Sequence, residues 1–326
     1  AALLVFGLWQ ATRSFEAQED EEPITVFGPW MGADADAFAA SVARFVDDTG
    51  LEVRYTGSLG FDAELRERVA SGGSSLDVAV VPQPGLVDEL ITSGIALPYS
   101  QLAVEAVTEN FPESVLERRA DGELFSFPYR SNVKSLVWYR PDVFETNGWT
   151  PPDTLDGITE LVQEIETSEM SPWCFGIFSG DDTGWPATDW VEDLLLRRSG
   201  PDVYDEWTDG TRGFGDPEVQ VAFDEFRSLV LSGGRSNGGL PVVLQTELQA
   251  ITDPLFEPEP GCAMLKQASF ATVWFPDDTG IGPDEEVDFF VLPDLGADSP
   301  SSLVTGGDQV LRFDSRPEVD LFLEYL

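Results

Sequence analysis

The chain has 326 residues, 42% hydrophobic and 11% aromatic, with 60 acidic residues against 18 basic ones, a formal net charge of -42 and no histidine. That length suits two cores rather than one, and the apolar content rules out disorder along the whole chain. The charge excludes nucleic-acid binding through phosphate neutralisation and docking on an anionic membrane through a basic patch, while the missing histidine removes His-based proton shuttling and His-ligated metals.

In chain order, Ala1–Trp9 is an apolar run too short to span a bilayer. An acid-rich stretch, Gln10–Glu22, follows it. Residues 1–22 are expected to be the end of a signal peptide or membrane anchor plus a linker, the only route to a membrane. Ile24–Phe27 reads as a strand. Phe38, Val42, Phe45 and Val46 recur at helical spacing and Gly50 stops that helix. Leu51–Tyr55 is a second strand, Phe61–Ala70 a helix ended by Gly72 and Gly73, and Leu76–Val81 a continuous apolar strand of the parallel-sheet kind. Leu86–Ser93 is a third helix. This βαβαβα order predicts a doubly wound lobe over 23–129.

A second lobe is expected over 130–298. Asn132–Tyr139 reads as one long strand entering it, and Ile158–Glu166 as a helix. Trp173–Phe178 reads as a strand. Asp189–Arg198 reads as a helix capped by Asp189, with Trp190, Leu194 and Leu195 inward and a solvated charge run at Asp189, Glu192 and Asp193. Pro217–Leu231 is another helix; Cys262–Leu265 and Val287–Leu292 are strands. Leu303–Phe313 and the helical pattern Val319–Leu326, which suits a helix running past the end, place 299–326 back in the first lobe. A chain that leaves one α/β lobe and returns makes a hinge, with a cleft lined by strand ends where a ligand binds. The competing architecture is one large α/β enzyme with an insertion.

The residues just after strands carry the chemistry. They are Trp30, Gln83, Tyr129 and Arg130, then Trp185 in a Gly/Asp-rich loop, Phe270 and Trp274 after the Cys262 strand, and Asp308 behind Gly306 and Gly307. Aromatic plates with amide, carboxylate and guanidinium groups suit a sugar, whose C–H faces pack on rings and whose hydroxyls both donate and accept. No catalytic residue, cofactor or metal site is expected. Lys134 reads as a structural ion-pair partner. Cys174 and Cys262 are the only cysteines, and in an exported chain an even count predicts a disulfide.

Five motifs in one order carry a resemblance: Asn132–Pro141, Pro172–Gly176, Gly184–Asp193, Gly261–Phe270, and Gly306–Asp308 with Arg316–Glu318. The chain resembles the family 1 extracellular solute-binding proteins of ABC sugar importers, and within them the α-glucoside-binding branch. The resemblance implies a two-lobed α/β periplasmic-binding-protein fold of type II, an extracytoplasmic location, a small-molecule sugar ligand and ABC permease subunits as partners. It also implies a further helical segment beyond residue 326 and a lipid-attachment cysteine, which has no counterpart here. An apolar segment followed by Gln10–Gln18 also resembles the membrane segment of multidomain signalling proteins, in which the domain would sense a sugar. An exported glycoside hydrolase is the third alternative, since the many carboxylates could supply an acid–base pair. The acidity suggests either a protein bathed in salt or compositional drift unrelated to salt.

Overall fold

The computed structural model describes residues 22–70, 76–119, 121–168, 170–180, 183–295 and 302–326. Residues 1–21 of the proposed anchor and linker, Gly72 and Gly73, and Asp181 and Asp182 lie outside the described residues. The chain divides into two compact units: 1–130 with 307–326, and 131–306. The strands are β1 (Ile24–Gly28), β2 (Val53–Gly57), β3 (Val78–Val81), β4 (Glu117–Arg118), β5 (Leu124–Val133), β6 (Leu136–Tyr139), β7 (Ser171–Trp173), β8 (Cys262–Lys266), β9 (Asp288–Val291) and β10 (Thr305–Arg312). The chain passes from one unit to the other within β5 and again within β10.

In the first unit the sheet order is β2-β1-β3-β10-β5-β4. β1 runs parallel to β2 and β3, with Val26 opposite Tyr55 and Val78, and β10 joins antiparallel to β3 with Val310 opposite Val80. Every residue of β3 is buried, as a strand covered on both faces requires. The helix Ala33–Thr49 buries Phe38, Val42 and Phe45 against one face, beside Ile24, Val26, Val80 and Phe322. It ends where Gly50 turns left-handed at φ 77° and donates its N–H to Val46 O. The helices Phe61–Ala70 and Pro84–Thr92 cover the other face through Leu65, Leu86 and Leu90. The helix Gln101–Asn110, capped by Ser100, has no counterpart in the expected elements. It buries only Ala103 and Val107, too thin a stripe to stand out.

The second unit holds the sheet β7-β8-β6-β9, with β7 parallel to β8 and β6 antiparallel to both β8 and β9. The single strand expected over 132–139 is two, because Lys134 and Ser135 leave the ladder. Lys134 N donates to Val304 O at 2.8 Å and Val304 N donates to Ser135 Oγ at 3.0 Å. Those bonds tie residues around 304 to the second unit, which runs to Gly306, eight positions past the boundary expected at 298. The strand expected over 173–178 is instead β7 at 171–173, which shares only Trp173 with it. Cys174 and Cys262 form a disulfide across a Cα–Cα distance of 5.2 Å, joining the end of β7 to the start of β8. Around this sheet pack the helices Leu155–Glu166, Trp185–Ser199, Pro201–Thr208 and Pro217–Phe226, the last continued by a π-helical turn over Arg227–Leu231. Trp173 and Trp190 meet edge to face at the centre of this core, 4.8 Å between centroids. Among the described residues no helix is long and apolar enough to cross a membrane.

Candidate functional site

Within the second unit, Trp185 is not in a loop: it is the first residue of the helix Trp185–Ser199. Gly184 supplies the turn at φ 113°, and Pro186 fits the first helical turn, where its missing N–H has no intrahelical acceptor to lose. Trp185 is half-buried and lies 6.0 Å from Phe270, which lies 5.2 Å from Trp274. Phe270 and Trp274 sit on the 3-10 turn Ser269–Trp274 that follows β8. All three rings are half-buried and tilted edge to face, so together they form a partly open aromatic platform.

Asp189 lies inside the same helix and does not cap it. It is buried, and Lys134 Nζ donates to its Oδ1 at 2.7 Å. Asp193 is fully buried rather than solvated. Its Oδ1 accepts from Ser135 Oγ at 3.0 Å and from Arg197 Nε at 3.1 Å. Lys266 Nζ lies 3.1 Å from Asp193 Oδ2 and donates to the backbone oxygens of Lys134 and Asp189. Arg197 Nη1 donates to Asp294 Oδ1 at 2.6 Å. A Cβ at Gly306 would come within 2.7 Å of the end of the Lys134 side chain. Glu192 is pushed above the usual carboxylate range by burial, against the pull of Lys134, and Tyr204 O–H reaches its Oε2 at 3.4 Å. Sequence reasoning missed Lys266, Arg197 and Tyr204. One signal was available: the only two lysines of the chain both reach this helix.

In the first unit, Trp30 follows β1 and is 5% exposed. Tyr55, Phe38 and Tyr129 surround it at 5.9, 5.5 and 5.6 Å. Trp30 N donates to Tyr55 Oη, which donates in turn to Trp30 O. Gly57 has to be a glycine, since a Cβ there would meet Trp30 O at 2.0 Å. Trp30 Nε1 and Arg130 Nε both donate to Asp308 Oδ2, at 3.2 and 2.9 Å, while Arg130 Nη1 donates to Asp34 Oδ1 at 2.7 Å. Burial raises the Asp308 carboxyl above its ordinary value, and the Arg130 charge opposes that rise. The structure thus brings Trp30, Tyr129, Arg130 and Asp308 together. Tyr129 and Arg130 remain half-buried, and the Tyr129 hydroxyl lies 2.6 Å from Ser41 Oγ. Gln83 stands apart at the start of the helix Pro84–Thr92, where its carbonyl accepts from Leu86 N and Val87 N. Its Oε1 is buried with no hydrogen-bond partner among the described residues. Among the described residues no group of His, Cys, Asp and Glu is placed to hold a metal ion.

Comparison with known proteins accords with this architecture. The family model of bacterial extracellular solute-binding proteins matches residues 30–306. The α-glucosides-binding periplasmic protein AglE of Rhizobium meliloti (strain 1021) is 32% identical over 98% of this chain and 71% of its own length. The osmoprotective compounds-binding protein GgtB of Synechocystis sp. is 34% identical over 94% of this chain and 73% of its own. Among solved structures, a chitin oligosaccharide binding protein superposes with a TM-score of 0.77 at 19% identity, covering 94% of this chain and 76% of that one. Maltose-bound MalE3 of T. maritima gives 0.69 at 16%, covering 93% and 75%. At those identities the likeness is one of fold, the α/β type II fold of periplasmic binding proteins. With a family match over most of its length and relatives above 30% identity along nearly all of it, the chain belongs to the bacterial extracellular solute-binding proteins.

Proposed function

We propose that this chain is the carbohydrate receptor of an ABC importer, taking α-glucosides and handing them to permease subunits without turning them over. The observation that carries this reading is the half-buried platform of Trp185, Phe270 and Trp274. A pyranose packs its C–H face on such rings, and rings held by a helix start and a tight turn lose little entropy on binding. In the first unit Tyr129 and Arg130 are the groups offered to hydroxyls. Buried Trp30 and Asp308 serve to position Arg130, whose guanidinium lies 5.0 Å from the Trp30 ring centroid. Gln83 Oε1, which has no partner among the described residues, is a further acceptor. The relatives lend support: AglE is named for α-glucosides and GgtB for osmoprotective compounds. As a member of an extracellular family the chain works outside the cytoplasm, where a disulfide such as Cys174–Cys262 persists.

Calorimetric titration with maltose, trehalose and sucrose tests the reading. Trp185→Ala is expected to weaken binding by at least about 2 kcal/mol, the usual threshold for a dominant contact. Its cost in stability should stay below the roughly 3–5 kcal/mol of a truncated core Trp. Intact affinity with a large stability loss would reassign Trp185 to the core. Sustained release of chromophore from a nitrophenyl α-glucoside would show catalysis and end the receptor reading.

A further inference from the structure

We infer that Lys134 and Ser269 are positioning residues for ligand recognition: they hold the Trp185 helix and the turn Ser269–Trp274 against one short stretch of chain, residues 133–135, and so fix the spacing of the platform rings. This rests on the receptor reading above.

The platform has two separate mounts. Trp185 opens a helix whose Gly184 cap supplies no side-chain hydrogen bond, so its first turn lacks the usual local restraint. Phe270 and Trp274 stand on the turn that follows β8. Rings on separate elements keep a 6.0 Å spacing only if both elements are located against a common reference.

Residues 133–135 are that reference. Val133 N donates to Ser269 Oγ at 3.3 Å, which places the first residue of the turn. Lys134 Nζ donates to Asp189 Oδ1 at 2.7 Å, and Ser135 Oγ donates to Asp193 Oδ1. Trp185, Asp189 and Asp193 fall at i, i+4 and i+8, so three successive residues place both the turn and the helix face that carries Trp185. The reference stretch is itself fixed: Lys134 N donates to Val304 O, and Lys134 O accepts from Lys266 Nζ at 3.3 Å.

Beyond those anchors the turn is stiff. Ala268 and Ala271 are buried, Ala271 N donates to Ala268 O, and Thr272 Oγ1 donates to Ser269 O. A displacement at Ser269 is therefore passed to Phe270 rather than absorbed. Lys134 acts on the other mount through a short charge-assisted bond, which fixes direction as well as distance. Its side chain is 25% exposed against 1% for Lys266, so its removal disturbs the core less than removal of Lys266 and falls mainly on the geometry of the helix start.

The test is calorimetric titration with maltose, with urea unfolding of the same proteins. Lys134→Met and Ser269→Ala should each weaken maltose about tenfold, the scale of one coupled contact. In a Trp185→Ala background Lys134→Met should add less than about twofold, because the ring it positions is gone. Ser269→Ala removes a single oxygen and decides the matter if Lys134→Met does not fold. Unchanged affinity in a folded variant, whatever its stability, overturns the role of that residue. An undiminished tenfold loss from Lys134→Met in the Trp185→Ala background overturns action through the ring. The receptor reading survives both results. It falls, and the positioning roles with it, if wild type does not bind maltose or if Trp185→Ala binds it as tightly as wild type.

Discussion

Lys266→Met probes the charged cluster that anchors the Trp185 helix. Three cations and three anions meet there: Lys134, Lys266 and Arg197 with Asp189, Asp193 and Asp294. They balance, and Lys266, Asp193 and Arg197 are each at most 5% exposed. Lys266 contacts Lys134 O at 3.3 Å, Asp189 O at 3.2 Å and Asp193 Oδ2 at 3.1 Å. Methionine keeps the stem and removes the charge, leaving one buried carboxylate in excess and two carbonyls without that donor. Breaking one partner out of a buried pair costs about 3–5 kcal/mol. Asp193→Asn in the Lys266→Met background restores neutrality and keeps an acceptor for Arg197 Nε. The double variant should therefore lose less than the two single losses added, by at least about 1–2 kcal/mol. Urea unfolding of the four proteins measures this. Additive losses would refute the reasoning, since a coupled charge cluster cannot give additive single effects.

Three further outcomes are expected. Cys174→Ala/Cys262→Ala opens a loop of 88 residues, for which chain entropy gives roughly 4–5 kcal/mol of lost stability; an unchanged urea midpoint would show that the bridge constrains nothing. The 60 carboxylates repel one another in dilute buffer, and we propose that this acidity suits a saline setting: the melting temperature should climb with KCl as the Debye length falls from about 10 Å at 0.1 M to about 3 Å at 1 M, and a flat profile rejects the proposal. Burial raises the carboxyls of Glu192 and Asp308, so the native state holds protons that the unfolded chain has already released; their contribution is present at the ordinary carboxylate range and lost as pH rises above it. Glu192→Gln should flatten the fall in stability as pH rises above the ordinary carboxylate range, and an equally steep profile in the variant would remove Glu192 as its source.

The legible parts of the fold were those with local causes. Gly50 stops a helix because only a left-handed residue closes it there, and the helix expected over Phe61–Ala70 is present. The helix Pro201–Thr208 was missed because it buries no residue fully, so it has no apolar stripe to read. The break after β5 was missed because Asn132–Tyr139 alternates like an unbroken strand. What interrupts it is distant: Lys134 turns to Asp189 and Ser135 to Asp193, partners more than 50 positions away. The same holds for the candidate sites. Residue types and strand ends nominated Trp185, Phe270 and Arg130, but nothing local distinguished half-buried Trp185 from buried Trp30. Nor could local pattern show that Asp189 and Asp193 point into a core.

The placement of β10 sets an order of assembly as the polypeptide is made. Residues 131–306 are one uninterrupted stretch containing both cysteines, so the second unit can close as soon as that stretch emerges. The first unit cannot. Val310 and Leu311 lie in the strand between β3 and β5, with about 170 residues synthesised between β5 and β10. Until β10 arrives, β3 and β5 each present a bare, apolar edge of the kind that pairs with other chains. The earliest residues of the folded region are thus among the last to be protected, and this is the interval in which the nascent protein most depends on an escort.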